Sequence, residues 1–353
     1  MSNPPKKKSP EQLNLLSQLD YSTRQVAVIR NDGGVGRGQT KADRLSSITG
    51  VYSMLPKRLE THPLGYEVVN RKYQVGNTHP VLIEISPAVL TRAAINDDGV
   101  KYTETYHRYP SKHEDMVEEA LAYQVFNKGK GVATTDIHIK VEFTVAELVH
   151  VIKTQMKTKI SGSDVLLALD VLASSKLVLR FEGDGARAGI QRTRITDYID
   201  VERKGCEIIR SCVLHPVFAK EIAQGNFRLH DLALQGTLKS AYGRDLLKQL
   251  TWIYRHANDK NTLVLNGRES LQNSACGFNM DSKDRWRTLE RGLKELVKSD
   301  ILSKYDPPEI EYGVINGKRM TVNKHIRIWP SDQFIKLQKL AYWSENKAIG
   351  IEV

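Results

Sequence analysis

Cysteine is scarce in this 353-residue chain: Cys206, Cys212 and Cys276 stand apart, with no Cys-x-x-Cys pair among them. That spacing argues against a disulfide framework and a cysteine-based zinc site, and implies reduced thiols in a cytoplasm-like compartment. Long apolar runs are missing too. None approaches the ~20 residues that cross a bilayer, and no apolar signal-peptide core follows Met1. The chain therefore reads as soluble, with no membrane partner. Its ten histidines are never one residue apart, which removes the paired metal ligands of DNA-nicking enzymes. No histidine is followed by arginine three positions later, so the recombinase box is missing as well. Nothing here supports catalysis, a metal or a cofactor.

What is abundant is positive charge. Lys and Arg number 52 against 41 Asp and Glu, a net charge of +11 with a sequence pI near 9.4. Such a balance favours a polyanionic partner. One stretch imitates a phosphate-binding loop: Gly33-Gly34-Val35-Gly36-Arg37-Gly38-Gln39-Thr40 follows the spacing GxxxxGK[ST]. Gln39 occupies the place of the lysine, and a neutral amide supplies no charge to terminal phosphates. The stretch is expected to be a flexible linker.

The expected fold class is α+β, with two tandem winged-helix domains behind a partly disordered N-terminal region. The boundaries fall at residues 1–110, 111–225, 226–345 and a tail, 346–353. In the N-terminal region, MSNPPKKKSP reads as a solvated arm, and ADRLSSITGVYSMLPKRLE suggests one amphipathic helix. Tyr66 to Glu84 suggests strands around a turn at Gly76-Asn77. The region has too few contiguous elements to assign a fold.

From Leu238 to Pro330 the pattern predicts helix, short strand, helix, capped basic helix and two-stranded ribbon. The first helix carries Leu246, Leu247, Leu250, Ile253 and Tyr254 at helical spacing. Leu263-Val264-Leu265 follows as a strand, and RESLQNSACG as a second helix closed by Gly277. The third helix opens with Asp281 as N-cap and Asp284 three residues on. Its apolar stripe is Trp286, Leu289, Leu293, Leu296 and Val297; Lys283, Arg287, Arg291, Lys294 and Lys298 lie largely opposite. A ribbon from Ile301 to Trp329 turns at Asn316-Gly317.

Residues 115 to 202 run through the same order. Asp115 to Lys128 is a first helix, IHIKVEF a strand, TVAELVHVIKTQM a second helix, and Ser161 with Asp164 caps a third. That third helix is mostly apolar (Val165, Leu166, Leu167, Leu169, Leu172), so it is expected to pack in a core or touch DNA only at its N-terminus. A ribbon then turns at Gly183-Asp184-Gly185 and carries Arg187, Arg192 and Arg194 as phosphate-gripping residues.

With the repeat laid out, residues 112 to 345 resemble the iteron-binding initiators of theta-replicating plasmids. The resemblance is carried by DMVEEALAYQ, VEFTVAELVHVI, VLHPVFAKEI, LKSAYGRDLLKQLTWIYRHANDKNTLVLNGRESLQNSACG and KDRWRTLERGLKELVKSDIL, in that order. It implies two winged-helix domains on directly repeated origin sites in double-stranded DNA, and melting of an adjacent AT-rich segment. It further implies recruitment of the host replicative helicase and host initiator, and a monomer–dimer equilibrium, with dimers associating through the first domain and repressing the protein's own promoter. Base contacts fall to Lys283, Arg285, Arg287 and Arg291, because such side chains pair with guanine O6 and N7. Lys318, Arg319, Arg187, Arg192 and Arg194 would hold phosphates. Gln12, Leu13, Leu15 and Leu16 look like the pentapeptide that docks bacterial proteins on the sliding clamp, and equally fit the first turn of an amphipathic helix. A transcription regulator built from the same two domains, without replication activity, is the competing reading.

Overall fold

The structure, a computed structural model, describes residues 45–49, 52–55, 57–59, 66–73, 81–95, 99–128, 131–133, 138–181, 188–223, 227–254, 262–274, 282–315 and 317–348. Helices and sheets are mixed throughout, an α+β architecture. The buried apolar residues described gather in two clusters. One runs from Tyr52 to Leu232 and includes Ala341; the other runs from Leu234 to Ile335. We refer to them as the first and second units.

The N-terminal segment departs from expectation. Instead of one amphipathic helix it forms a strand, β1 (Leu45–Thr49), and a short 3-10 turn at Tyr52–Met54. Gly50 and Pro56 interrupt any helix there, and the β-branched Ile48 and Thr49 suit extended backbone once a partner strand exists. Strands β2 (Val69–Tyr73) and β3 (Val81–Ile85) pair antiparallel as expected, Tyr73 opposite Val81; the Gly76-Asn77 turn lies outside the described residues. A hairpin of β4 (Ala88–Ile95) and β5 (Lys101–Arg108), which the sequence pattern did not announce, leads into α1 (Lys112–Lys128).

Helix α1 is enclosed on nearly all sides: Val117, Ala120, Leu121 and Phe126 are buried. Its polar side is enclosed too: Glu114 is buried, and Asp115, Glu118 and Glu119 are each paired with a cation. Around it come β6 (Gly131–Ala133), β7 (Ile139–Phe143), α2 (Val145–Thr154) and α3 (Gly162–Ser174). Ser161 caps α3 as its spacing implied: its Oγ accepts from the Asp164 N–H at 3.1 Å, and Asp164 accepts from the Ser161 N–H at 3.2 Å. Val165, Leu169 and Leu172 of α3 are wholly buried, so this helix packs, as expected, rather than presenting itself to a ligand.

The predicted first ribbon is divided between two sheets. Strands β8 (Lys176–Phe181) and β9 (Ala188–Thr193) join β2 and β3 in the order β2-β3-β8-β9. The chain then crosses over at Arg194 into β10 (Ile195–Lys204) and β11 (Glu207–Leu214), which extend the sheet β10-β11-β7-β6. Asp197, with φ of 49°, marks the irregularity at the start of β10. Helix α4 (Pro216–Ala223) leads to β12 (Phe227–Asp231), the partner of β1, and to α5 (Leu232–Thr237).

The second unit follows its predicted order. Helix α6 (Ala241–Ile253), β13 (Leu263–Asn266), α7 (Gly267–Gln272) and α8 (Ser282–Lys298) precede β14 (Leu302–Tyr305), β15 (Glu309–Ile315) and β16 (Lys318–Pro330). Asp281 and Gly277, expected to cap α8 and close α7, lie outside the described residues. The sheet runs β13-β16-β14. The long β16 contributes Ile326 and Ile328 to the core at one end and pairs with β15 as a projecting ribbon at the other. Gly317 turns that ribbon at φ 74°, backbone a side chain would strain. Helix α9 (Asp332–Ala348) closes the chain, placing Phe334 in the second cluster and Ala341 in the first.

Candidate nucleic-acid interface

Helix α8 sorts its residues as its periodicity predicts. Leu289, Leu293 and Leu296 are buried against α6, while Trp286 and Val297 pack half-buried beside them. Asp284, Arg287, Glu290, Arg291, Lys294 and Lys298 are exposed. Arg287 lies 3.3 Å from Asp284, and Lys294 lies 2.8 Å from Glu290. All four of these side chains are more than half exposed, and ion pairs of that kind contribute about 0–1 kcal/mol. A phosphate or a base edge can therefore replace either carboxylate at little cost.

The helix's third acid is used elsewhere. Glu295 turns toward the start of α6, where its carboxylate accepts from the Ser240 N–H at 3.1 Å and from the Ser240 hydroxyl and the Lys239 N–H. Those N–H groups are donors a helix cannot satisfy internally. Removing Glu295 from the exposed face leaves that face more basic than the helix's composition suggests.

The β15–β16 ribbon joins this face. Ile310 pairs with Lys324, Tyr312 with Thr321 and Val314 with Arg319 across the strands, and residues directly opposite share a face. Arg319 stacks on the Tyr312 ring at 4.3 Å. Lys324 lies over the Trp286 ring of α8 at 5.4 Å, which joins ribbon and helix in one surface. Tyr312 and Val314 are exposed at 50% and 75%, an apolar strip edged with basic groups.

Of the side chains assigned from sequence, Arg287 and Arg291 are exposed on α8, and Arg319 is exposed on the ribbon that Lys324 joins to that helix. Arg285 sits half-buried toward the apolar stripe, one turn from Leu289. Arg192 is exposed on the edge strand β9 of the first unit, away from these three in the chain. The side chains of Lys283 and Lys318, and residues Arg187, Gln12, Leu13, Leu15 and Leu16, lie outside the described residues. Lys324 and Tyr312 were missed. Simple alternation did not announce them: Lys324 and Arg319 are five residues apart on β16 and share a face only through the register shift between Glu311 and Tyr312.

Arg194 corrects an expectation. It is only 1% exposed and cannot hold a phosphate. Because the chain changes sheets at this residue, its side chain turns inward to α1. There Nη2 donates to Asp115 at 2.6 Å and also to Glu118. Burial alone would raise both carboxyl pKa values. Arg194, joined by Arg58 at Asp115 and Lys57 at Glu118, reverses this, holding Asp115 well below the carboxylate range and Glu118 at about 2.

Among the described residues, no group of three or more His, Cys, Asp or Glu is placed to hold a metal ion, and no helix is long and apolar enough to cross a membrane. No family model matches the sequence. No characterised protein matches it by sequence. A Pi initiator protein solved in complex with iteron DNA is similar at 13% identity and a TM-score of 0.40, over 62% of this chain and 91% of that one.

Proposed function

We propose that the chain is a sequence-specific double-stranded DNA-binding protein built from two winged-helix units. In the second, α6, α7 and α8 stand with the β15–β16 wing; in the first, α1, α2 and α3 stand with β8–β9. The observation that carries this reading is the continuity of the α8 basic face with the ribbon through Lys324 and Trp286. A helix about 10–12 Å across fits the major groove, and a ribbon beside it reaches the flanking backbone. Arg287 and Arg291 then read base edges, Arg319 holds phosphate, and Arg192 holds phosphate for the first unit. The buried α3 gives that unit a backbone grip more than base reading.

The order of motifs shared with iteron-binding initiators supports the biological role: initiation of plasmid replication at directly repeated origin sites, without catalysis by the chain itself. Host helicase and initiator are the protein partners of that role, with the sliding clamp reached through Gln12 to Leu16 and a monomer–dimer equilibrium governing activity.

The test begins with selection of duplexes from a randomised pool by the full chain. One enriched sequence, bound far more tightly than its scrambled form, is expected; equal affinity for both overturns the reading. On a supercoiled plasmid carrying the enriched site in direct repeats beside an AT-rich segment, permanganate-reactive thymines mark an initiator. Binding without reactive thymines marks a regulator.

A further inference from the structure

We infer that Arg58, carried on the segment ahead of the first unit, ties α1 to α6 and so fixes the angle between the two DNA-contacting faces. The chain would thereby read the spacing between two half-sites as well as their sequence. This rests on the DNA-binding reading above.

Arg58 is 4% exposed and belongs to neither helix it touches. Its Nη1 donates to Asp115 of α1 at 2.8 Å, and its Nη2 reaches both oxygens of Asp245 of α6 at 3.0 and 3.1 Å. The same Nη2 approaches the Ala241 carbonyl at 3.4 Å. A second polar bridge crosses alongside: Lys248 of α6 pairs with Glu119 of α1, which also accepts from Gln235 Nε2 at 2.9 Å. Lys57, adjacent in sequence, holds Glu118 at 2.9 Å.

This seam is charged where a seam serving stability alone would be apolar. Buried ion pairs add little net stability over a hydrophobic contact of similar volume, but the planar guanidinium fork accepts few geometries. A cavity of about 50 Å³, lined in part by Arg58, Asp245 and Lys248, opens on the seam, so close packing does not hold the angle there. The α9 helix and Trp252 of α6 cross between the clusters with apolar groups, which hold the units together but, being non-directional, set their angle less sharply than the guanidinium fork does. The ties end near the DNA-facing elements on both sides. Asp115 also binds Arg194, two residues beyond Arg192; α6 packs directly on α8.

The experiment has two readouts on the full chain. Nitroxide labels at Gln191→Cys and Lys298→Cys, in a Cys206→Ser, Cys276→Ser background, report the angle without DNA. A narrow distance distribution that broadens in Arg58→Ala and Asp245→Asn is expected, with Arg58→Lys only partly restoring it. An unchanged distribution in both variants overturns the tie. Next, about five base pairs, half a helical turn, are inserted between the contacted halves of the duplex selected above. The parent chain should lose about 100-fold in affinity, an amount equal to one unit's contacts, and Arg58→Ala much less. Equal losses in parent and variant overturn the spacing role. A chain that selects no duplex overturns the spacing role and the DNA reading together, while the label distances still decide the tie.

Discussion

Gly292 of α8 lies flat against the Tyr242 ring of α6: a Cβ on Gly292 would stand 2.5 Å from Tyr242 Cδ1. The ring has nowhere to go, because it is buried and its hydroxyl meets Ser270 Oγ at 2.8 Å. The glycine in mid-helix is therefore what lets the basic helix seat on the core at this depth.

The first prediction weighs two effects of opposite sign at that contact. Gly292→Ala gains about 1 kcal/mol of helix propensity, yet overpacking a closed core costs about 1–3 kcal/mol. Net destabilisation is expected in urea unfolding. In a Tyr242→Leu background the added methyl should cost nothing or stabilise, and an unchanged penalty there would assign it to some other contact.

A second prediction concerns the arginine that proved to be structural. Arg194→Met should destabilise by about 3–5 kcal/mol, because it strands the Asp115 and Glu118 carboxylates without their main partner. The salt dependence of DNA binding should not change, since no phosphate contact is lost. A fall of one unit in that slope, with stability intact, would return Arg194 to the wing.

The third prediction is a pH dependence. His215 is buried beneath the Tyr52 ring, centroids 4.5 Å apart, and its Nδ1 accepts from the Val217 N–H at 3.2 Å. Burial, and then the positive charge of Lys57, bring its pKa down to about 3. Lys57, Arg192, Arg194 and Glu118 are the charged groups around it. Since the unfolded chain binds this proton near pH 6.5 and the folded chain does not, stability falls as pH drops below 6.5. The loss from this group reaches about 2 kcal/mol by pH 5. Below about 4.5 the depressed Asp115 and Glu118 add to it, because the unfolded chain protonates them first. Denaturant midpoints from pH 7 to 4 measure the slope. His215→Asn, which keeps an acceptor near Nδ1, should flatten the part between 6.5 and 5.

What could be read from sequence was the part governed by local periodicity. The stripe of Leu289, Leu293 and Leu296 and the Ser161 cap declare themselves within one or two helical turns. The misreadings depend on contacts between residues far apart in the chain. Strand β1 exists because Phe227–Asp231 offers it an edge, and nothing near Leu45 announces that partner. Arg192 and Arg194 share one face of any regular strand, so alternation made them equivalent; the crossover between sheets separates them, leaving one exposed and one enclosed. Arg58 carried no pattern at all, since its partners lie 57 and 187 residues away.

The last prediction separates base reading from phosphate grip within the one chain. Arg287 stands on the face of α8 opposite Leu289, in an exposed pair with Asp284 that DNA can displace. Arg287→Ala should therefore cost about 1–3 kcal/mol on the selected duplex and far less on a scrambled one. Arg192, exposed on an edge strand whose neighbouring helix α3 is packed into the core, should behave differently. Arg192→Ala should weaken both duplexes by a similar factor and reduce the salt slope by about one. Salt titrations of both variants on both duplexes give the comparison. Equal losses on the two duplexes for Arg287→Ala would mean that α8 lies along the backbone, and base reading would have to come from the apolar and basic face of the ribbon.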